Sequence, residues 1–338
     1  MPRLVALCVL SAALAGCVSV DPAHAPDWLA HLAASPRPPP GSAWPLPPET
    51  LERLLAEDVR EDREIAPAGS GVTGAYRVTA YFPRAGRELD FKWKVAPRDD
   101  ADGWNNAPRK ELAAYEIQKW FLDPIDYVVP TTRARCAPLD AFRELVPEAQ
   151  PNLPETRCVF GVDAVWLEHV KPAAPLYEED RFRSERGYAE PLANFNLLTY
   201  LIEHRDARSS NILASEAEGS RRVYSVDNGI AFGGWFHNFF LRSWEELRVP
   251  ALPRRALDRL RQISRSRVEA LAVVAQLESD ARGVLHPAPH EPPIDPRAGV
   301  VFRDGVLQLG LTEGEIEDLW RRLRDLCREY DRGTLRVF

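Results

Sequence analysis

The spacing of hydrophobic positions changes along the chain, and these changes predict where helices and strands lie. The segment "PETLERLLAEDVRE" places its leucines on one face at helical spacing. The period then falls towards two over residues 64–97, where "AYRVTAYF" and "ELDFKWKV" predict two strands joined by a turn at residues 83–86. Helical spacing returns in "RKELAAYEIQKWFL", and "RCVFGVDAVWLEHV" is typical of one or two buried strands.

Helical patterns dominate from about residue 190 onwards. They are carried by "NFNLLTYLIEH", "RALDRLRQISRSRVEALAVVAQLESDA" and "TEGEIEDLWRRLRDLCREY". We therefore predict an α+β fold with two lobes: a small β-rich N-lobe at residues 49–175 with one key helix, and a larger, mainly helical C-lobe at residues 176–338. A chain of 338 residues is long enough to give both lobes a core.

The N-terminus has the pattern of an export signal. One Arg precedes an apolar stretch that is too short to span a membrane as a helix, and the stretch ends in "LAGC". This ending resembles a bacterial lipobox, in which Cys17 is the lipidated first residue and Val18 indicates the outer membrane facing the periplasm. An ordinary cleaved signal with an incidental Cys17 is the alternative. Residues 1–17 are predicted as signal peptide and lipobox, and residues 18–48 as a Pro-rich tether.

Charge and cysteine content narrow the class of protein further. The net charge is -7, with acids and bases mixed along the chain, which argues against a nucleic-acid partner chosen by charge. Cys136 and Cys158 bracket a Pro-rich segment, and export would permit a disulfide between them. Two buried thiols are the alternative. Cys327, in a predicted helix, is expected to be a core thiol.

A glycine cluster and a lysine pair suggest a phosphate-binding site. Gly69, Gly71 and Gly74 are spaced as GxGxxG, and a strand-like segment follows them. Such a loop between two strands lets backbone amides approach nucleotide phosphates, whereas a plain glycine turn is the alternative. Lys92 and Lys94 share one face of the next predicted strand. Either could hold phosphates if a carboxylate positions it, or be solvated on an edge strand.

Carboxylates and one amide follow in an order that suits phosphoryl transfer. The predicted helix after the strands offers Glu111 and Glu116 as the lysine's partner, and physical chemistry alone leaves that choice open. In "EHRDARSSNIL", Asn211 stands five positions after Asp206, and Asp227 follows in "VDNGIAFG". Asn211 and Asp227 offer the oxygen ligands that magnesium prefers, and Asp206 can orient an attacking hydroxyl. A capped, charged loop is the alternative for the first motif alone.

Taken in chain order, these motifs resemble those of the protein-kinase-like superfamily over residues 65–240. "EHRDARSSNIL" is similar to its catalytic loop. "VDNGIAFG" is similar to its metal-binding Asp motif in the atypical branch, which includes secretory-pathway kinases, phosphatidylinositol 4-kinases and HipA-type kinases. The resemblance implies a bilobal kinase-like fold that uses ATP and Mg²⁺ (or Mn²⁺), with Lys94 ahead of Lys92 at the phosphates and Glu111 as its partner. It also implies a hinge at "VWLEHVKPA", where backbone groups near Glu168 bind the adenine edge.

The implied function is an ATP-dependent phosphotransferase, lipid-anchored in the cell envelope. Its acceptor is a protein, a lipid or a small molecule. On this resemblance Asp206 is the catalytic base, and His204 packs and hydrogen-bonds to hold the loop rather than acting as a metal ligand or base. Two alternatives stay open: a catalytically inactive binding module on the same scaffold, and a transferase that moves AMP. The sequence has no clear activation segment ending in Ala-Pro-Glu, so it does not name the acceptor.

Overall fold

A computed structural model describes residues 27–34, 43–56, 60–68, 75–98, 106–207, 209–215, 221–233 and 244–338. The predicted glycine loop of Gly69, Gly71 and Gly74 and the predicted lipidation site Cys17 lie outside these ranges. Within them, three sheets and a set of α-helices give the α+β architecture that the sequence predicts.

Five antiparallel strands form sheet 1. In spatial order they are β1 (Glu61–Pro67), β2 (Ala75–Phe82), β3 (Arg87–Val95), β5 (Cys158–Val165) and β4 (Thr132–Pro138). The predicted hairpin is confirmed, because β2 and β3 pair from Ala75 opposite Lys94 to Phe82 opposite Arg87. The turn between them lies at residues 83–86, as predicted.

The described residues form nine α-helices. They are α1 (Asp27–Ala34), α2 (Pro48–Ala56), α3 (Pro108–Gln118), α4 (Leu139–Leu145), α5 (Glu179–Ser184), α6 (Arg186–Leu201), α7 (Arg254–Leu260), α8 (Arg265–Glu269) and α9 (Glu313–Asp331). Apolar side chains of α3, α6 and α9 meet in one large core. The helix that carries Glu111 is therefore seated on the helical part of the molecule.

The prediction of an extended tether at residues 18–48 is wrong for the part that the structure describes. Residues 27–34 form α1, and its Leu29 and Leu32 are buried in the large core. The three-residue spacing of these leucines places them on one helical face, and that apolar face outweighs the proline-rich composition around it. Ala43 is buried as well.

The side chains of β3 alternate between the two faces of sheet 1. Phe91 and Trp93 are fully buried on one face, where α2 packs near Phe91 and α4 near Trp93. Lys92 and Lys94 lie on the opposite face. Gly161 of β5 faces the end of β3 so closely that a Cβ there would lie 2.5 Å from the backbone oxygen of Lys94. Only glycine allows the two strands this approach.

Sheet 2 is small and carries the two loop motifs. Its strands, in spatial order, are β6 (Val170–Pro172), β7 (Ile212–Ser215) and β8 (Val223–Ser225). Ile212 of β7 pairs with Ser225 of β8. This register places Asn211, just before β7, beside Val226, just after β8.

The prediction of helix throughout residues 255–281 is wrong in its second half. After α7 and α8, residues 275–279 form a strand of sheet 3. The strands of sheet 3, in spatial order, are β10 (Leu285–Pro287), β9 (Ala275–Ser279), β12 (Val306–Leu309) and β11 (Val300–Arg303). A short apolar run such as "LAVVAQL" does not distinguish helix from strand by its period. Pairing with β12 decides it, because Leu277 is then buried opposite Leu307.

Sheet 3 packs against sheet 1 rather than against the helical core. Its Leu277 and Leu307 share a hydrophobic cluster with Phe160 and Val162 of β5. Residues 275–309, which the sequence prediction assigned to the C-lobe, thus lie against the sheet of the N-lobe.

A disulfide joins Cys136 of β4 to Cys158 of β5, with the two Cα atoms 5.4 Å apart. Both cysteines are buried in the cluster between sheets 1 and 3. Cys327 is a buried free thiol on α9. In the described part of the chain, no helix has both the length and the apolar character needed to cross a bilayer.

Candidate active site

Lys94, at the end of β3, lies between two carboxylates. Its Nζ is 3.2 Å from Glu111 Oε1 of α3 and also donates to Asp227 Oδ1. The side chain of Lys94 is only 4% exposed. A buried ammonium without partners would be costly, and the two carboxylates compensate for its desolvation. Glu116, the alternative partner on the same helix, pairs instead with Lys119 at 2.7 Å.

The charges of Lys94, Glu111 and Asp227 favour the ionised forms of Lys94 and Asp227. Burial alone would lower the pKa of Lys94, but the negative charges of Glu111 and Asp227 raise that pKa above its usual value. Burial would likewise raise the pKa of Asp227, but the charges of Lys94 and Lys92 lower it. At neutral pH, Lys94 is therefore a cation and Asp227 an anion.

The turn after β8 presents Asp227 to the lysine. Asp227 has φ 63° and ψ 54°, in the left-handed region that Asp tolerates better than most residues with a side chain. The next amide, Asn228 N, donates to Glu111 Oε2 at 2.8 Å and ties the turn to α3. Gly229 passes close by, since a Cβ there would lie 3.0 Å from Lys94 Nζ. The Asp-Asn-Gly order thus supplies a carboxylate, a link to α3 and the space the lysine needs.

Asp206 and Asn211 form a second group on the loop between α6 and β7. Asn211 Nδ2 donates to Asp206 Oδ2 at 2.8 Å and to the Asp206 backbone oxygen at 3.0 Å. Both side chains are buried. The backbone oxygen of Asn211 accepts from Val226 N at 3.0 Å, so this group lies beside the segment that carries Asp227. The five-residue spacing of the motif therefore corresponds to one closed, hydrogen-bonded loop.

His204 is fully buried at the base of the same loop. Burial lowers its pKa to about 4, while the nearby Asp227 and Lys94 act on that pKa in opposite directions. The imidazole is therefore neutral at pH 7. Its burial and its neutral state fit the packing part of the role that the resemblance implies.

A cavity of about 990 Å³ opens between sheet 1 and the two motif loops. Its wall includes the charged side chains of Lys92, Lys94, Glu111 and Asp227. Its apolar side chains include Val129, Val162, Ala164, Leu167, Leu213 and Val226. Ser210, next to Asn211 in the chain, also lines the wall, whereas the side chains of Asp206 and Asn211 are not part of the described lining. A cavity of this size, lined by both charged and apolar side chains, suits a ligand as large as a nucleotide.

The predicted hinge borders this cavity, but one of its backbone groups has another partner. Trp166, Leu167 and Glu168 are on the wall. The amide of Glu168 donates to the backbone oxygen of Ala43 at 2.8 Å, so this amide is not free to bind the edge of a base. The sequence prediction missed this contact because Ala43 was assigned to the tether, and a backbone contact at that distance along the chain leaves no sequence signal.

The predicted ligands Asn211 and Asp227 fit a hard divalent cation. Asn211 directs its amide nitrogen at Asp206, and Asp227 presents a carboxylate that is 30% exposed. Amide and carboxylate oxygens are ligands that Mg²⁺ and Mn²⁺ accept. The described residues contain no group of three or more His, Cys, Asp and Glu side chains that could hold a metal by themselves. Mg²⁺ sites with one or two protein carboxylates share their ligands with substrate phosphates.

Two solved structures share this architecture. A hydra Fam20 structure with a sugar matches at a TM-score of 0.53 and 15% identity, over 87% of this chain and 93% of that chain. The Golgi casein kinase matches at a TM-score of 0.51 and 14% identity, over 87% of this chain and 77% of that chain. No protein-family model and no curated protein matches the sequence. The chain therefore has the mixed α+β, kinase-like fold that its motifs predict.

Proposed function

We propose that this chain is an ATP-dependent phosphotransferase. The observation that carries the proposal is the position of Lys94, held between Glu111 and Asp227 on the wall of a nucleotide-sized cavity. A buried lysine is costly to a fold unless its charge is used or compensated, and here both compensating carboxylates also line the cavity. The kinase-like fold supports the same conclusion.

Each residue of the site has a role in this proposal. Lys94 binds the nucleotide phosphates, and Glu111 fixes the position of its ammonium group. Asn211 and Asp227 hold Mg²⁺ (or Mn²⁺), which when bound offsets the negative charge of the phosphates. Lys92, on the same face of β3, adds positive charge to the wall of the same cavity.

Asp206 acts as the base of the reaction. Its carboxylate accepts a hydrogen bond from Asn211, which fixes the orientation of the carboxylate before an acceptor arrives. It accepts the proton of the acceptor hydroxyl as that oxygen bonds to the terminal phosphorus of ATP, while the bond from this phosphorus to the bridging oxygen breaks and ADP leaves. The acceptor is thus defined by its chemistry: a hydroxyl group on a protein, a lipid or a small molecule.

Mg-ATP binding and turnover test the proposal. Mg-ATP should raise the melting temperature of the full chain by mass action, and a chelator should reverse most of that gain. Asp206→Asn keeps an acceptor oxygen for Asn211 Nδ2 but removes the base, so it should lower turnover by about 10²- to 10⁴-fold with Mg-ATP binding retained. Asp140→Asn, at an aspartate whose side chain is 81% exposed, is the matched control.

The outcomes separate the alternatives. Binding without any turnover in the wild type favours an inactive binding module. Mass spectrometry of the products distinguishes a transferred phosphoryl group from transferred AMP. Undiminished turnover by Asp206→Asn would remove the role given to this residue.

The chain is further proposed to be a lipoprotein of the bacterial envelope, anchored through Cys17 and facing the periplasm. The "LAGC" sequence supports this, and so does the disulfide between Cys136 and Cys158, because such bonds persist in oxidising compartments. Metabolic labelling with a fatty acid should mark the wild type and not Cys17→Ser. Equal labelling of the two proteins would exclude the anchor.

A further inference from the structure

The C-terminal helix α9 contacts the helix that carries Glu111 through a buried ion pair. Arg109, two residues before Glu111, donates from Nη1 to Glu315 Oε2 at 2.5 Å and from Nη2 to Glu315 Oε1 at 3.1 Å. The side chains of Arg109 and Glu315 are 7% and 13% exposed. A two-pronged arginine–carboxylate pair fixes direction as well as distance. Glu315 also belongs to the capping box at the start of α9, in which Thr312 is the N-cap residue. These hydrogen bonds fix the position of the Glu315 side chain.

The backbone around this pair leaves space for the Arg109 side chain. Arg109 Nη1 also reaches the backbone oxygen of Gly310 at 3.3 Å. A Cβ on Gly299 would lie 2.4 Å from Arg109 Nε, so the arginine side chain would have to shift. Glycine at position 299 therefore leaves the space in which the arginine side chain lies.

The same helix contacts the loop that carries Asp206. Arg322 donates from Nη1 to Glu203 Oε2 at 2.7 Å and from Nε to the backbone oxygen of Leu201 at 2.9 Å. Its side chain is mostly buried. Glu203 lies three residues before Asp206, and the neighbouring Arg205 donates to the same carboxylate. The entry to the catalytic loop is thus fastened to α9.

Glu315 and Arg322 stand seven residues apart, about two turns along one helix, so they lie on the same side of it. Ile316, Leu319 and Leu323 between and beside them are buried in the large core, which holds α9 rigid. One rigid element therefore fixes both the Glu111 helix and the Asp206 loop.

We propose that Arg109, Glu315 and Arg322 are positioning residues, and that α9 is a bracket that sets the distance between the phosphate-binding lysine and the catalytic base. The roles of Lys94 and Asp206 in this inference rest on the proposed function. Whether α9 orders the Glu111 helix and the Asp206 loop can be measured without any acceptor.

Two variants with matched controls test the bracket in the full chain. Glu315→Gln keeps an oxygen for the capping box with Thr312 but removes the charge that binds Arg109, and its control is the exposed Glu317→Gln. Arg322→Met removes the loop contact, and its control is the exposed Arg321→Met. Hydrogen exchange is followed by mass spectrometry over residues 108–118 and 201–207. The KM for Mg-ATP and kcat of ATP turnover are measured well below the melting temperature.

The two ends of the bracket should give different signatures. Glu315→Gln should speed exchange in residues 108–118 and raise the KM for Mg-ATP by about ten-fold, a typical size for coupling through a packed network. Arg322→Met should speed exchange in residues 201–207 and lower kcat by a similar factor, with the KM nearly unchanged. Gly299→Ala, which displaces Arg109 without changing any charge, should reproduce the Glu315→Gln signature.

Loss of melting temperature alone, with exchange and kinetics equal to those of the controls, would overturn the bracket and leave the proposed function standing. A wild type that neither binds nor turns over Mg-ATP would overturn the proposed function. In that case the exchange patterns of the two variants still decide whether α9 orders the two segments.

Discussion

Replacing Lys94 with Met removes the cation between two carboxylates and leaves a side chain of similar length. At 3.2 Å, the pair of Lys94 and Glu111 attract each other by about 5 kcal/mol at an effective dielectric constant of about 20. Most of this attraction is offset by the cost of burying the ammonium. The loss on replacement comes mainly from Glu111 and Asp227, which are left facing each other without a counter-charge. Removing one partner of a buried pair costs about 3–5 kcal/mol, and we expect about 3 because Asp227 is partly solvated.

A double-mutant cycle isolates this effect from simple loss of packing. Glu111→Gln alone should also destabilise the fold, since it removes one of the two charges that compensate Lys94. In Lys94→Met with Glu111→Gln, the repulsion is gone, so the double variant should be more stable than the sum of the single changes predicts. We expect a coupling energy of about 2 kcal/mol, within the usual range for residues in contact.

The assay is urea unfolding of the full chain at pH 7, followed by circular dichroism, for the wild type and the three variants. Lys92→Met is the control, because Lys92 lies on the same face of β3 and lines the same cavity. It should cost less than about 1 kcal/mol, as for most changes outside a buried network. Free energies that add within about 0.5 kcal/mol would refute the argument that Lys94 compensates the two carboxylates.

Two further changes have predicted outcomes. Replacing Cys136 and Cys158 together with Ala should lower the free energy of unfolding by about 3 kcal/mol, because the disulfide closes a loop of 22 positions in the unfolded chain; urea unfolding measures it, and an unchanged stability would contradict the loop-closure argument. Since burial lowers the pKa of His204 from 6.5 to about 4, the unfolded chain alone binds this proton between those values, and stability should fall as the pH falls. Over this range the free energy of unfolding should fall by about 1.4 kcal/mol per pH unit, and His204→Leu should abolish this part of the pH dependence. If the free energies of unfolding of the wild type and the variant change in parallel with pH, His204 does not have this effect.

Much of the candidate site could be predicted from the sequence because its signals are local. The two-residue period of β3 puts Lys94 and Trp93 on opposite faces of the sheet. The five-residue spacing of Asp206 and Asn211 lets their side chains form a hydrogen bond that closes one loop. The choice between Glu111 and Glu116 was beyond local signals. These residues are five positions apart on α3, and only the packing of α3 on the large core decides which of them faces the lysine.

The parts that escaped prediction depend on contacts between distant segments. Whether Leu277 lies in a helix or a strand is decided by its pairing with Leu307, which its own neighbours do not reveal. The amide of Glu168 is occupied by Ala43, and Arg109 reaches Glu315 across the fold. Each of these contacts joins two segments with no common motif, so the sequence of one segment does not indicate which other segment it contacts.

The pair of Arg109 and Glu315 spans 206 positions of the chain, and that of Arg322 and Glu203 spans 119. Contacts of such long range form late, because the chain must first lose the entropy of closing large loops. A ribosome that has made everything up to residue 310 has still not made the helix that fastens the lysine's support and the base. Completion of the cavity therefore waits for the last segment to be synthesised.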